Sequence, residues 1–269
     1  MTDIFAGLRT NLLEKTAGLP ADTFTIRGLW EVRLLFRPNA LERTFRYTFV
    51  VAQTMGQGAC YAPENTVLPE EWMGADAREV IGEKSAQSIA VLDAMYDTLP
   101  KSPAARFVLQ GDSMAKTGER TQILLDECSR LLEAHPTGHA PRVVNVGVLG
   151  NLLEGLTRQG CTVAATDFDP EIVGTTINGV PIEHGSVTNE RVRESDLAVI
   201  TGMTLATDTL EEIMEAAAEG GTRVLIFAET GANFGEEYCR SFGVDAVVSE
   251  HFPFYIFAGT SVVEVYRKG

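Results

Sequence analysis

The residues able to do chemistry in this chain stand at the ends of short apolar runs. Gly147 and Gly150 follow the run at 142–146, and Asp167 and Asp169 close the run at 161–165. Thr201-Gly202-Met203-Thr204 follows 197–200, Glu229-Thr230-Gly231-Ala232-Asn233 follows 223–227, and Ser249, Glu250 and His251 follow 244–248. The first of these ends reads as a strand, a tight glycine turn and a helix over 151–159. Leu152, Leu153 and Leu156 give that helix its apolar spacing, and Gly160 stops it. Such a turn sets backbone N–H groups and the positive end of a helix dipole beside a ligand. An acid about 20 residues further on, at the tip of the next strand, suits a ribose diol.

The pattern therefore predicts a nucleoside-bearing small molecule held by Asn145, Gly147, Gly150, Asp167, Asp169, Thr201, Gly202 and Thr204. Gly147-Val148-Leu149-Gly150 lacks the third glycine of the dinucleotide fingerprint, so a pyrophosphate is weakly supported. S-adenosylmethionine has no phosphate and tolerates a looser turn. GVLGN followed by TDFDP resembles an S-adenosylmethionine site more than an NAD site. The competing reading is that the glycines only let a strand turn closely into a helix.

Glu229 and His251 are the candidate catalytic residues, and Thr230, Asn233 and Tyr255 the candidate substrate contacts. A carboxylate after an apolar strand serves as a general base, as an anchor for an amino group, or as a solvated loop acid. His251 opens the aromatic stretch His-Phe-Pro-Phe-Tyr, which suits stacking on an adenine, a lid, or a hydrophobic cover. No local metal motif exists. His135 and His139 are four apart, but Pro136 and Gly138 lie between them, so no helix face presents both. A metal site needs distant segments, for example His184, Glu229 and His251. There is no GxSxG elbow, and no cysteine has an evident activating partner.

Composition narrows the partners. The 269 residues carry a net charge of −15, which argues against nucleic acid and anionic membranes. The four cysteines, Cys60, Cys128, Cys161 and Cys239, have no CxxC spacing, as expected of free thiols in a cytoplasmic protein. The first residues read as an amphipathic helix and not as a signal peptide, and no stretch reaches transmembrane length. A small-molecule substrate and a homodimer are the expected partners.

The elements that must position these residues fall into two patterns, giving an α/β chain. Residues 1–112 read as a small α+β domain. It has a helix over 3–17, a hairpin from β-rich runs at 24–36 and 44–52 broken by Pro38-Asn39, and a long loop opened by Gly56-Gln57-Gly58. A helix over 77–99 follows, ended by Pro100 and Pro103; residues 107–111 read as a short strand or an extended linker. Residues 113–269 read as a Rossmann-like, doubly wound, mostly parallel sheet. This begins with an amphipathic helix over 119–134, stopped by His135-Pro136-Thr137-Gly138. Helices at 209–218 and 234–241 and a last strand at 262–266 complete the alternation. In such sheets ligands sit beyond the carboxyl ends of the strands.

One stretch resembles a known family. Ile200-Thr201-Gly202-Met203-Thr204-Leu205, then Thr209-Leu210 with Ile213, within Asp196 to Thr230, is similar to the C-terminal domain of the heavy-metal chelation family, a domain of unknown function. The likeness extends over about residues 141–260, and the region before residue 100 resembles that family's enolase-like N-terminal domain. It implies a Rossmann-like second domain and a crevice between domains. The family label also implies an alternative function, a non-catalytic protein that binds a metal or metal complex. Ala228-Glu229-Thr230 stands where the family has Gly-Pro-Ser/Thr, and the TDFDP end is closer to S-adenosylmethionine-dependent methyltransferases. Both departures point to a derived enzyme.

Overall fold

A computed structural model describes residues 3–37, 44–134 and 138–269. The Pro38-Asn39 break and the stop at His135, Pro136 and Thr137 lie outside the described residues. Helix α1 (Ile4–Thr16) starts where the Asp3 carboxylate accepts the Ala6 N–H at 2.9 Å. Strands β1 (Gly28–Phe36), β2 (Phe45–Gln53) and β3 (Gln57–Tyr61) form an antiparallel sheet in that order. The hairpin is present, but Gly56-Gln57-Gly58 does not open a loop; it begins a third strand. The reason is packing. A Cβ on Gly58 would stand 2.2 Å from the backbone N of Ala94, so only glycine lets β3 lie against the helix behind it.

The helix expected over 77–99 is two helices, α2 (Ala77–Val80) and α3 (Ala86–Asp97). Gly82 is a weak helix former, and the Ser85 hydroxyl restarts the helix by accepting the Ser88 N–H at 3.1 Å. Strand β4 (Ala105–Leu109) pairs antiparallel with the last strand of the chain, so of the two readings of this stretch, strand or linker, the strand holds, at an edge of the large sheet. Helix α4 (Ser113–Glu133) starts six residues before the apolar spacing shows, because Asp112 caps the Ala115 N–H at 2.9 Å.

The rest alternates: β5 (Arg142–Val146), α5 (Gly150–Arg158), β6 (Thr162–Asp167), β7 (Thr176–Ile177), β8 (Val180–His184), α6 (Thr188–Arg193), β9 (Leu197–Thr201), α7 (Met203–Ala206), α8 (Leu210–Gly220), β10 (Arg223–Ala228), α9 (Gly235–Ser241), β11 (Ala246–Glu250) and β12 (Ser261–Arg267). Apolar spacing alone does not reveal β7, β8 and α6. A turn signal marks the two strands instead: Asn178 and Gly179 both take positive φ, 50° and 83°, the backbone of a two-residue hairpin turn.

The nine-stranded sheet runs β4-β12-β11-β10-β9-β5-β6-β8-β7. Its parallel centre, β8-β6-β5-β9-β10-β11, has the third, second, first, fourth, fifth and sixth parallel strands in that order. That is the nucleotide-binding order, and it reverses between β5 and β9. Successive strand residues pack on opposite faces. Val144, Ala198, Ile200 and Ile226 join α1, α3 and α8 in one core, while Val143, Val199, Leu225 and Phe227 join α4 and α5 in the other. The expected α/β architecture, a small antiparallel sheet beside a large, mostly parallel one, is what the chain forms. No helix of the described residues is long and apolar enough to cross a membrane.

Candidate functional site

A cleft of about 650 Å³ opens where the sheet order reverses. One wall comes from the strand ends of the large sheet, with Gly147, Asp167, Asp169, Thr201 and Thr204. The other comes from the small sheet, with Arg46, Tyr47, Phe49 and Tyr61. Arg120, Phe227, Glu229 and Tyr255 also line it. The volume and the mixed lining suit a drug-sized organic molecule.

The glycine turn is built to face this cleft, but not to hold a phosphate. Gly147 takes φ 76°, and a Cβ there would stand 2.4 Å from Thr201 Cγ2. The successive N–H groups of the turn already have acceptors within the chain. Gly147 N–H donates to Thr166 O at 3.0 Å, Val148 N–H to Asp167 Oδ2 at 2.9 Å, and Leu149 N–H to Asn145 Oδ1 at 2.8 Å. Asn145 is fully buried, and its amide also donates to Gly147 O and Val199 O, at 3.1 and 3.2 Å. Its place is beneath the turn, bracing it to β9. Gly150 opens α5, and Gly202 packs under the Ala228–Thr230 backbone; neither lines the cleft.

Asp167 and Asp169 form an acidic tip on β6. The second Asp167 oxygen accepts the Asp169 N–H at 2.9 Å, and Asp169 accepts the Glu171 N–H at 2.9 Å. Tyr61 stands opposite them: burial, then the Asp167 and Asp169 charges, push its hydroxyl up from the ordinary tyrosine value. Thr204 donates to Thr201 O at 2.8 Å, which fixes the start of α7 at the cleft wall.

Glu229 is shared by two cavities. It lines the large cleft and also a smaller one of about 210 Å³ with Asp93, Lys101, Asn233, His251 and Glu264. Burial pushes its carboxyl up, the Arg120 guanidinium opposes that, and the Glu250 charge adds to it. His251 pairs with Glu264 through Nε2 at 3.1 Å. Burial works against the Glu264 charge, but hydrogen bonds from His251 and Tyr266 outweigh it and hold that carboxyl down at about 2. Thr230 and Asn233 act between the sheets. Thr230 Oγ1 accepts the Tyr61 N–H at 2.9 Å, and the Asn233 amide donates to Gln57 O and Asp93 O, both at 3.1 Å. Asn233 Oδ1 accepts from Lys101 at 2.7 Å.

Tyr255 covers Arg120, whose guanidinium carbon lies 3.8 Å from the ring centroid. Arg120 is a site residue that strand ends do not point to, because it comes from a helix. Its signal in the sequence is a basic pair, Lys116 and Arg120, four residues apart on the buried face of α4. His184, Glu229 and His251 do not meet: His184 ends β8, and four parallel strands separate it from β11. Among the described residues no three His, Cys, Asp or Glu side chains form a group that could hold a metal ion.

Residues 130–245 match the model of a family described as "Putative heavy-metal chelation", DUF364. A solved protein of unknown function from that family, from Pyrococcus horikoshii, matches 98% of this chain and 99% of its own at 10% identity, with a TM-score of 0.61. Another, from Desulfitobacterium hafniense, matches 97% and 99% at 13% identity, with a TM-score of 0.55. Identities that low show the fold alone. No curated protein matches. The resemblance carried by residues 196–230 lies within the matched stretch, and the fold is shared with both solved proteins.

Proposed function

We propose that this relative of the heavy-metal chelation family is an enzyme that binds S-adenosylmethionine, or a related adenosyl compound, and acts on a small molecule. The observation that carries the reading is the cleft of about 650 Å³ at the reversal of the sheet, with Asp167 in its wall. Asp167 spends one lone pair of each oxygen on backbone N–H groups and keeps the others for a ribose diol. The turn offers no ready phosphate cradle, which favours an adenosyl group without phosphates. The aromatic rings of Phe49 and Tyr61 give an adenine or a sulfonium its apolar wall.

A sulfonium makes three adjacent carbons electrophilic, so the protein need only place a nucleophile and stabilise charge. Glu229, its proton affinity raised by burial, is suited to take the proton that the nucleophile releases. In cyclisation the nucleophile is the ligand's own amino group, which Glu229 can hold and then deprotonate. In methyl or aminocarboxypropyl transfer a second substrate supplies the nucleophile, and Glu229 only holds the ligand's amino-acid head. The small cavity behind Glu229, with His251 on Glu264, supplies a place for that proton to leave. The expected setting is a cytoplasmic homodimer.

Isothermal titration of chelator-treated protein with S-adenosylmethionine tests the reading, with zinc or nickel as the control titrant. One saturable site per chain, abolished by Asp167→Ala in a protein that keeps its circular dichroism, is the expected outcome. Unchanged affinity in Asp167→Ala sinks the assignment. Metal binding without S-adenosylmethionine binding returns the chain to the family's label.

A further inference from the structure

Arg120 is the most constrained cation of the cleft. It is only 6% exposed, yet it lines the cavity. Its Nη1 donates to Glu229 Oε1 at 3.3 Å and to Glu250 Oε2 at 3.2 Å. Its guanidinium carbon stands 3.8 Å from the Tyr255 ring centroid and 5.0 Å from that of Phe227. The planar group is therefore held by two rings and two carboxylates, with little freedom to reorient. Two polar atoms of this cluster have no hydrogen-bond partner among the described residues: Arg120 Nε, a donor, and Glu250 Oε1, an acceptor. A buried donor without a partner is costly to the fold, so its persistence beside a cavity marks a place for a ligand atom.

The charge balance narrows what that ligand is. One guanidinium faces two carboxylates, and both burial and Glu250 work against the charge on Glu229. A dianion such as phosphate meets repulsion from both acids. A lone carboxylate meets the same repulsion more weakly, and a lone amine leaves Arg120 Nε unpaired. A group carrying one carboxylate and one ammonium on adjacent bonds pairs with both sides and adds no net charge. We propose that the floor of the cleft is a subsite for the zwitterionic head of an α-amino acid, its carboxylate on the Arg120 guanidinium and its ammonium on Glu229.

This deepens the adenosyl reading, because the amino-acid half of S-adenosylmethionine is such a head, and the test separates the two. Wild type, Arg120→Lys and Glu229→Gln are titrated with four probes: S-adenosylmethionine, 5′-methylthioadenosine, L-methionine and 3-(methylthio)propylamine. The second lacks the amino-acid head, and the fourth lacks only the carboxylate. Wild type is expected to bind L-methionine at least about tenfold more tightly than the amine, and S-adenosylmethionine at least about tenfold more tightly than methylthioadenosine. Arg120→Lys keeps the charge but loses the fork, so the preference for L-methionine over the amine should vanish and that for S-adenosylmethionine over methylthioadenosine, to which the sulfonium also contributes, should narrow, while methylthioadenosine affinity holds. If Arg120→Lys does not fold, Glu229→Gln decides, since it leaves the Arg120–Glu250 pair intact and should weaken L-methionine at least about tenfold. Equal binding of S-adenosylmethionine and methylthioadenosine to wild type overturns the subsite and leaves the nucleoside reading standing. Failure of both adenosyl probes, with L-methionine bound through Arg120, overturns the nucleoside reading and leaves the subsite. No binding of L-methionine overturns the subsite.

Discussion

Gly147→Ala is the sharpest perturbation of the cleft, because two independent costs meet there. The residue takes φ 76°, which costs a residue with a Cβ about 1–2 kcal/mol. The new methyl would also stand 2.4 Å from Thr201 Cγ2 and 3.0 Å from Thr201 Cβ. Overpacking of that kind typically costs about 1–3 kcal/mol. The sum is about 2–5 kcal/mol, and at about 2–4 °C per kcal/mol for a chain of this order of size the melting temperature falls by at least about 4 °C. Gly179 provides the control. Its φ is 83°, but nothing lies within 4 Å of where its Cβ would stand, so Gly179→Ala meets only the backbone cost. Scanning calorimetry of wild type, both single variants and Gly147→Ala/Thr201→Ser reads the two terms apart. The double variant removes the Cγ2 contact and should recover part of the loss. A Gly147→Ala protein as stable as Gly179→Ala, or no recovery with Thr201→Ser, refutes the close approach of the turn to β9.

Asp93 sets a pH dependence. Burial pushes its carboxyl up to about 7, although the Asn233 and Ala59 N–H groups pull the other way. Between its ordinary value of 3.8 and about 7 the fold holds a proton that the unfolded chain lacks, so this group's contribution falls as pH rises through that window. Asp93→Asn should flatten that fall in melting temperatures measured from pH 4 to 8 relative to wild type; an unaltered slope rejects the assignment. Lys116 is fully buried and donates to Phe257 O at 2.6 Å and Gly259 O at 3.0 Å. Lys116→Met strands both carbonyls, at about 1–3 kcal/mol, and should speed hydrogen exchange and proteolysis between β11 and β12. Unaltered protection there means that Lys116 does not hold the loop.

The alternation of apolar runs and turns after residue 141 is enough to read the parallel sheet, and the strand-end rule then gathers Gly147, Asp167, Thr201 and Glu229 at one cleft. What stays hidden depends on long-range packing. Gly58 looks like a turn residue, and only the passage of α3 behind β3 shows why a strand needs a glycine there. Arg120 looks like any surface charge until α4 is laid on the sheet and its polar fork meets Glu229 and Glu250. The place of Thr230 and Asn233 after β10 suggests substrate contacts, but their side chains fasten the small sheet to the large one. Sequence position tells which strand end a residue belongs to. It does not tell whether its polar atoms face a ligand or the protein's own backbone.

Those fastenings have a wider bearing. The two walls of the cleft come from stretches about a hundred positions apart in the chain, one on β2 and β3 and one on β5, β6 and β9. They meet through a few bonds: Thr230 to the Tyr61 N–H, Gly231 N–H to Ala59 O at 3.0 Å, and Asp93 to the N–H groups of Ala59 and Asn233 at 2.8 Å each. None of these uses the side chains of Tyr47, Phe49 or Tyr61. Phe49 is anchored separately, on Phe254 at 4.9 Å between ring centroids, so the seam and the aromatic wall are held by different contacts. The seam thus keeps the two walls in register without drawing on the rings that line the cleft.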